Sequence, residues 1–287
     1  MSASDGIVCP LCPHACALTE GNFGVCGGRV ARGGAVVADN YGRLTALALD
    51  PIEKKPLAAF HPASTILSVG SYGCNLSCPF CQNSSIARLR GDRLGQLGAP
   101  RIDTRTPNEL VETALTLKKR GNIGIAYTYN EPLIGYEFVT DTAKLAHEAG
   151  LLNVIVTNGY VNEAPLVALL PHLDAANIDL KGFTQDFYHR VGAPKGLATV
   201  KRSIELAAPV IHVEVTTLIS PGLNDNTEEI ESLARWLAEI DPHIPLHLTR
   251  FHPSYRMLDV APTPRATIHH LIAVAQRHLH TVLPGNL

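Results

Sequence analysis

Three cysteines, Cys74, Cys78 and Cys81, share the stretch Gly73-Cys74-Asn75-Leu76-Ser77-Cys78-Pro79-Phe80-Cys81-Gln82-Asn83, spaced C-x3-C-x2-C with an aromatic just before the last. Three thiolates on one short loop can each hold one iron of a cubane [4Fe–4S] cluster, and the fourth iron is then left without a protein ligand. An open metal position is a place for a substrate or cofactor to bind. A closed structural zinc site would lack its fourth ligand here, and cysteines this close in sequence rarely pair with one another.

A second group precedes it: Cys9-Pro10-Leu11-Cys12-Pro13-His14-Ala15-Cys16, closed by Gly24-Val25-Cys26-Gly27-Gly28. Cys9, Cys12, Cys16 and Cys26 could form a tetrahedral zinc site or hold a second iron–sulfur cluster, and ligand type favours zinc. His14 could replace a cysteine, although a surface role suits it better. All seven cysteines fall between Cys9 and Cys81. That distribution reads as metal binding in a reducing compartment, the cytoplasm.

Positioning such loops takes a scaffold, and the 287 residues suffice for one large α/β domain with a small extra module. With 46% hydrophobic and 17% charged residues and a formal charge of −2, the chain offers no basic field for nucleic acid and no polybasic patch for lipid. The start, Met1-Ser2-Ala3-Ser4-Asp5, does not read as a signal peptide, and no apolar run is long enough to span a bilayer.

From Ile66 onward, strand-like and helix-like segments alternate, the pattern of βα units on a parallel sheet. The expected fold is an α/β chain forming a partial (β/α)6 TIM-like barrel with an N-terminal four-cysteine module. Residues 1–37 form the module, 38–63 a linker and 64–287 the barrel. Within the barrel, Thr106-Pro107-Asn108-Glu109 reads as a capped helix start after the Arg88 to Arg105 loop. In the linker, Glu53, Lys54 and Lys55 lie between Pro51 and Pro56, either as a solvated charge run or reaching toward the barrel mouth.

Chemistry in parallel barrels gathers at the C-terminal ends of strands. The polar residues expected there, besides the cysteine loop, are Asn130 and Glu131, Thr157 and Asn158, Asp179 and Lys181, Ser220, and Arg250 with His252. Asn224 or Asn226 could instead cap a helix.

The Cys74–Cys81 stretch resembles the radical SAM superfamily, whose cluster motif is C-x3-C-x-aromatic-C. Thr-x-x-Glu-Pro, Thr-Asn-Gly, Asp-Leu-Lys and Phe-His-Pro look like the branch of pyruvate formate-lyase activating enzymes. The four-cysteine segment, Asp50-Pro51-Ile52-Glu53-Lys54-Lys55-Pro56-Leu57 and Gly73-Cys74-Asn75-Leu76 look closer to the radical SAM enzymes of the AmmeMemoRadiSam system. The resemblance implies that S-adenosylmethionine binds the open iron and is cleaved reductively to a 5′-deoxyadenosyl radical. It implies that Glu131, with Asn130, receives the amino group, although Tyr129-Asn130-Glu131 replaces the family's Gly-Gly-Glu. Thr157, Asn158, Asp179 and Lys181 would face the ribose or carboxylate, and Ser220 the adenine. Memo-like and AMMECR-type partners and an electron donor such as flavodoxin or ferredoxin are implied too. A glycyl-radical activase and a non-catalytic iron–sulfur carrier or scaffold are the rival readings.

Overall fold

A computed structural model describes residues 6–95 and 100–287; the Met1–Asp5 start and residues 96–99 of the Arg88–Arg105 loop lie outside them. The four-cysteine segment folds as two antiparallel ribbons, β1 (Ile7–Val8) with β2 (Ala17–Leu18) and β3 (Arg29–Arg32) with β4 (Ala35–Ala38). Buried Arg29 carries this module onto the rest of the molecule by a two-pronged bond to Glu137, 2.5 and 2.8 Å, a geometry that fits guanidinium to carboxylate.

The segment expected to be a linker is instead part of the barrel. β5 (Arg43–Leu44) leads into β6 (Ala46–Pro51), which pairs antiparallel along the whole of β7 (Thr65–Gly70). Residues 52–61 then fold into the barrel's N-terminal end. Ile52 and Leu57 are fully buried there among Ile66, Ala126, Val154 and Ala175. The backbone N–H groups of Ala58 and Ala59 donate to the buried carboxylate of Glu214 at 3.0 and 2.8 Å. Asn177 donates to the Pro56 carbonyl at 2.8 Å. Asp50-Pro51-Ile52-Glu53-Lys54-Lys55-Pro56-Leu57 is therefore a stopper, shaped by its prolines and held by apolar burial and matched polar groups.

Beyond the stopper the βα alternation appears as expected. After β7 come the single helical turn α1 (Ser84–Ala87) and β8 (Asp103–Thr104), which returns to pair with β5. α2 (Pro107–Thr116) opens on a reciprocal cap: the Thr106 hydroxyl accepts from Glu109 N–H, and Glu109 accepts from Thr106 N–H. There follow β9 (Asn122–Tyr127), α3 (Tyr136–Glu148), β10 (Leu152–Thr157), α4 (Glu163–Leu169) and β11 (Ala175–Asp179). Then come α5 (Gln185–Arg190), α6 (Gly196–Ala207), β12 (His212–Ile219), α7 (Thr227–Ile240), β13 (Leu246–Arg250) and α8 (Arg265–Ala275). The sheet order is β14-β13-β12-β11-β10-β9-β7-β6, where β14 (Val282–Gly285) is a further parallel strand beyond the six expected units. Its Pro284 cannot donate to a ladder, a lack an edge strand tolerates.

Alternation along each strand sorts side chains to two faces. On β12, Val213, Val215 and Ile219 pack in the main apolar core, whereas Glu214, Thr216 and Leu218 face the barrel interior. At the stopper, apolar side chains thus meet Ile52 and Leu57, while Glu214 and Asn177 meet its backbone.

Candidate active site

The cysteine loop leaves the end of β7 through Gly73, whose φ of +91° and crowding (a Cβ there would lie 2.8 Å from the Cys26 carbonyl) require glycine. Cys74 N–H donates to that same Cys26 carbonyl at 3.0 Å. Asn130 grips the loop's entry: its side chain accepts from Ser71 N–H at 2.9 Å and donates to Gly73 O at 3.0 Å. Arg88 donates to the Cys74 and Leu76 carbonyls, and Ser77 N–H donates to Val191 O at 2.7 Å. The loop is fixed at both ends and along its length.

Cys74, Cys78 and Cys81 all line one cavity of about 580 Å³. Leu76 N–H and the Asn158 amide donate to Cys74 Sγ at 3.4 and 3.6 Å, contacts that favour thiolate. Burial pushes the Cys74 thiol up well beyond its ordinary value and Cys78 up to about 11; a metal cation bound there would supply the compensating charge. Among the described residues, no three His, Cys, Asp or Glu side chains stand around one ion-sized point. A cubane does not ask for that, since each thiolate binds a different iron. Three sulfurs on one short loop, all lining one cavity, fit the group.

Glu131 is buried beside the loop. Its carboxylate accepts from Thr157 Oγ1 at 2.7 Å, Asn158 N–H at 2.8 Å and Leu133 N–H at 3.1 Å. Burial pushes it up to about 7, against the pull of those three donors. Lys181 and Asp179 meet at 2.8 Å. Burial disfavours the lysine's charge, but Asp179 and the Cys78 thiolate position hold its pKa above the ordinary value.

Asn130, Glu131, Asn158, Asp179 and Lys181 line the cavity with the cysteines. Thr157 stands behind them and orients Glu131. Ser220 does not reach the cavity: it is fully buried, and its N–H donates to the Asn224 side chain at 2.7 Å. Asn224 is not a cap; it donates to the Lys181 and Leu218 carbonyls, while Asn226 caps α7. Arg250 donates to Thr263 O, and His252 contacts Asn286 O at 3.0 Å. His14 contacts Asn75 O at 2.8 Å and meets the Tyr160 ring edge to face, so it is not a surface residue but a link between module and loop.

Tyr129, Lys55, Thr216, His247 and Thr249 also line the cavity, and the sequence reading did not single out any but Lys55. Polar residues at alternate positions of β12 and β13 were the available signal. Glu53, Lys54 and Lys55 line the cavity rather than forming a solvated run alone.

Cys9, Cys12, Cys16 and Cys26 gather around a second, small cavity with Leu11, Gly24 and Arg29. Burial pushes the Cys12 thiol up to about 11 and raises Cys26 as well. Among the described residues, no three of these four are arranged as a ready-made ion site.

Residues 68–237 match the family described as the Radical SAM superfamily. An uncharacterized protein of Methanocaldococcus jannaschii is 41% identical over 263 residues, 91% of this chain and 75% of that protein. The pyruvate formate-lyase-activating enzyme of Clostridium pasteurianum is 26% identical over 185 residues, 63% of this chain and 72% of that enzyme. Among solved structures, Streptococcus suis SuiB superimposes with a TM-score of 0.56 at 12% identity, over 76% of this chain and 48% of that one.

Proposed function

The chain belongs to the radical SAM superfamily and is an enzyme, and from that premise we propose that Cys74, Cys78 and Cys81 hold its [4Fe–4S] cluster. The observation that carries the proposal is the convergence of these cysteines with Asn130, Glu131, Asn158, Asp179 and Lys181 on one cavity. Held by Cys74, Cys78 and Cys81 and reduced, such a cluster would supply the electron that splits S-adenosylmethionine into methionine and a hydrogen-abstracting 5′-deoxyadenosyl radical.

The chain's own residues bind and orient. Asn130 and Arg88 shape the loop that presents the thiolates. Glu131, positioned by three donors, offers its carboxyl to the ammonium group, whose positive charge would favour the ionised form against the burial that raises it, with the Asn130 side chain beside it. Lys181 suits the carboxylate, and Asp179 and Asn158 suit the ribose hydroxyls; Thr157 acts through Glu131. Ser220, away from the cavity, would shape the adenine side only through the backbone of its loop. The buried stopper and apolar strand bodies exclude water from the cavity's lower part.

Anaerobic reconstitution with iron and sulfide, followed by dithionite and S-adenosylmethionine, tests this. Wild type forms 5′-deoxyadenosine; Cys78→Ala abolishes it while far-ultraviolet circular dichroism stays near wild type. Retained cleavage in Cys78→Ala would refute the ligand assignment.

The similarity to a pyruvate formate-lyase-activating enzyme supports a second reading, a glycyl-radical activase whose substrate is a partner protein. An electron paramagnetic resonance signal on such a partner would favour it. For the remaining assignments, the four-cysteine module is taken as a zinc site in preference to a second cluster. Memo-like and AMMECR-type proteins are taken as partners, flavodoxin or ferredoxin as electron donor, and the cytoplasm as location. No helix of the described residues is long and apolar enough to cross a membrane.

A further inference from the structure

Thr216 and His247 are register partners on the neighbouring strands β12 and β13. Both are buried against the barrel yet line the cavity, and the reaction above leaves both unused. His247 Nε2 lies 2.6 Å from Oε2 of the buried Glu214. The same carboxylate takes the Ala58 and Ala59 N–H groups at 3.0 and 2.8 Å, and His212 Nε2 stands 3.0 Å from its Oε1. Among four donors it stays ionised, held down to about 2, and it can only accept. The hydrogen of the neutral His247 ring is therefore on Nε2, which leaves Nδ1 as an acceptor. Nδ1 has no hydrogen-bond partner among the described residues, yet packing does not seal it, and the open space beside the ring is the cavity.

Thr216 offers the opposite property. Its oxygen accepts from the Asn177 amide at 2.9 Å, and that amide is also tied to the Pro56 carbonyl at 2.8 Å. The hydroxyl hydrogen has no acceptor among the described residues, so it is free to be given. An acceptor and a donor thus stand side by side on paired strands, each fixed by a buried partner that also anchors the stopper. A carboxylate or carbonyl could use only the donor, and an ammonium only the acceptor. An alcohol uses both, giving its hydrogen to Nδ1 and taking that of Thr216. The charges around them call for no ion: Glu214 is shared by two imidazoles, Lys181 is matched by Asp179 and Lys55 by Asp50. Tyr129, turned in by a φ of +73°, gives its own hydroxyl hydrogen to Asp50 at 2.7 Å.

We infer that His247, oriented by Glu214, and Thr216, oriented by Asn177, bind a hydroxyl group of an alcohol substrate. The inference deepens the reading of this cavity as the radical SAM site and rests on it in calling the bound alcohol a substrate.

Isothermal titration of the reconstituted protein with cyclopentanol, cyclopentanone and cyclopentylammonium tests it, because one ring then carries a group that gives and takes, only takes, or only gives. Cyclopentanol is expected to bind about fivefold more tightly than either of the others. His247→Gln keeps a donor for Glu214 and withdraws Nδ1, and Thr216→Val keeps the shape and withdraws the hydroxyl. Each change should bring the alcohol down to the level of the ketone and the ammonium, whereas Thr216→Ser should keep its lead. Should His247→Gln not fold, as circular dichroism would show, Thr216→Val and Thr216→Ser decide. Equal binding of the three, no binding, a lead for the ketone or the ammonium, or an alcohol preference that survives the changes would overturn the inference. Cleavage of S-adenosylmethionine by wild type is assayed in parallel. Alcohol preference without cleavage sinks the reading of the reaction alone, and cleavage without that preference sinks this inference alone.

Discussion

Glu131 shows how much one side chain's role depends on its neighbours. Its three donors would satisfy a glutamine carbonyl only in part, and the amide would bring an N–H toward the same ammonium. Glu131→Gln is therefore expected to weaken S-adenosylmethionine binding about tenfold, roughly 1.4 kcal/mol. Equilibrium dialysis of the reconstituted protein measures it, and iron content should not change, since the cysteines remain held by Asn130 and Arg88. A wild-type affinity would remove Glu131 from the binding set. The cysteines were legible in the sequence because their spacing is itself the chemistry, whatever the fold. Tyr129 was not legible as a wall of the cavity, because a positive φ at a non-glycine residue leaves no trace in composition. Ser220 was misplaced for a related reason: it follows the end of β12, but the Asn224 side chain turns that loop away from the cavity.

Elements were legible where their signal is local. The capped start of α2 and the alternation of apolar strands and amphipathic helices depend on neighbours a few residues apart. β6 and the stopper depend on partners far along the chain, so residues 38–63, with Pro51 and Pro56 against a helix, read only as a linker. Their contribution is measurable. Leu57→Ala should cost about 2–5 kcal/mol of unfolding free energy, as for a fully buried leucine in a core that relaxes little, and urea denaturation would register it. The Glu214 carboxylate beneath it, although buried, is held down to about 2 by hydrogen bonds from His212, His247, Ala59 and Ala58. A carboxylate depressed on folding stabilises above its ordinary value of 4.5 and loses that contribution as pH falls through about 2. The urea midpoint of wild type should thus fall more steeply between pH 4.5 and 2 than that of Glu214→Gln, which would start lower and run flatter. Parallel curves would show that Glu214 does not anchor the stopper.

At the scale of the whole molecule, the cysteine spacings carried no sign of how the four-cysteine segment joins the barrel. Among the contacts that fasten them are Arg29 to Glu137, His14 to the Asn75 carbonyl, the Cys74 N–H to the Cys26 carbonyl, Gly91 N–H to the Gly27 carbonyl, and Asn162, which donates from backbone and side chain to Leu11 and Pro10. Asn75 is the hinge of this union, donating to Tyr160 O at 2.7 Å and accepting from Asn158 at 2.9 Å. Cys12→Ala is expected to release one metal equivalent, to raise hydrogen exchange across residues 9–37, and to lower the retention of iron by the cysteine loop. Metal counting on gel-filtered protein reads both effects. Unchanged zinc and iron would mean that the module is held by packing alone.

The bond between Cys26 and Cys74 also bears on how the protein is made. A chain grows from its N-terminus, so residues 9–37 are in being before the loop that they brace. The cavity wall contributed by Pro284, Gly285 and Asn286 arrives much later. Between the emergence of Val191, whose carbonyl takes the Ser77 N–H, and the docking of Val282–Gly285, the three thiols lie beside an unfinished wall. Iron and sulfide would have their widest access to the thiols before that last wall docks.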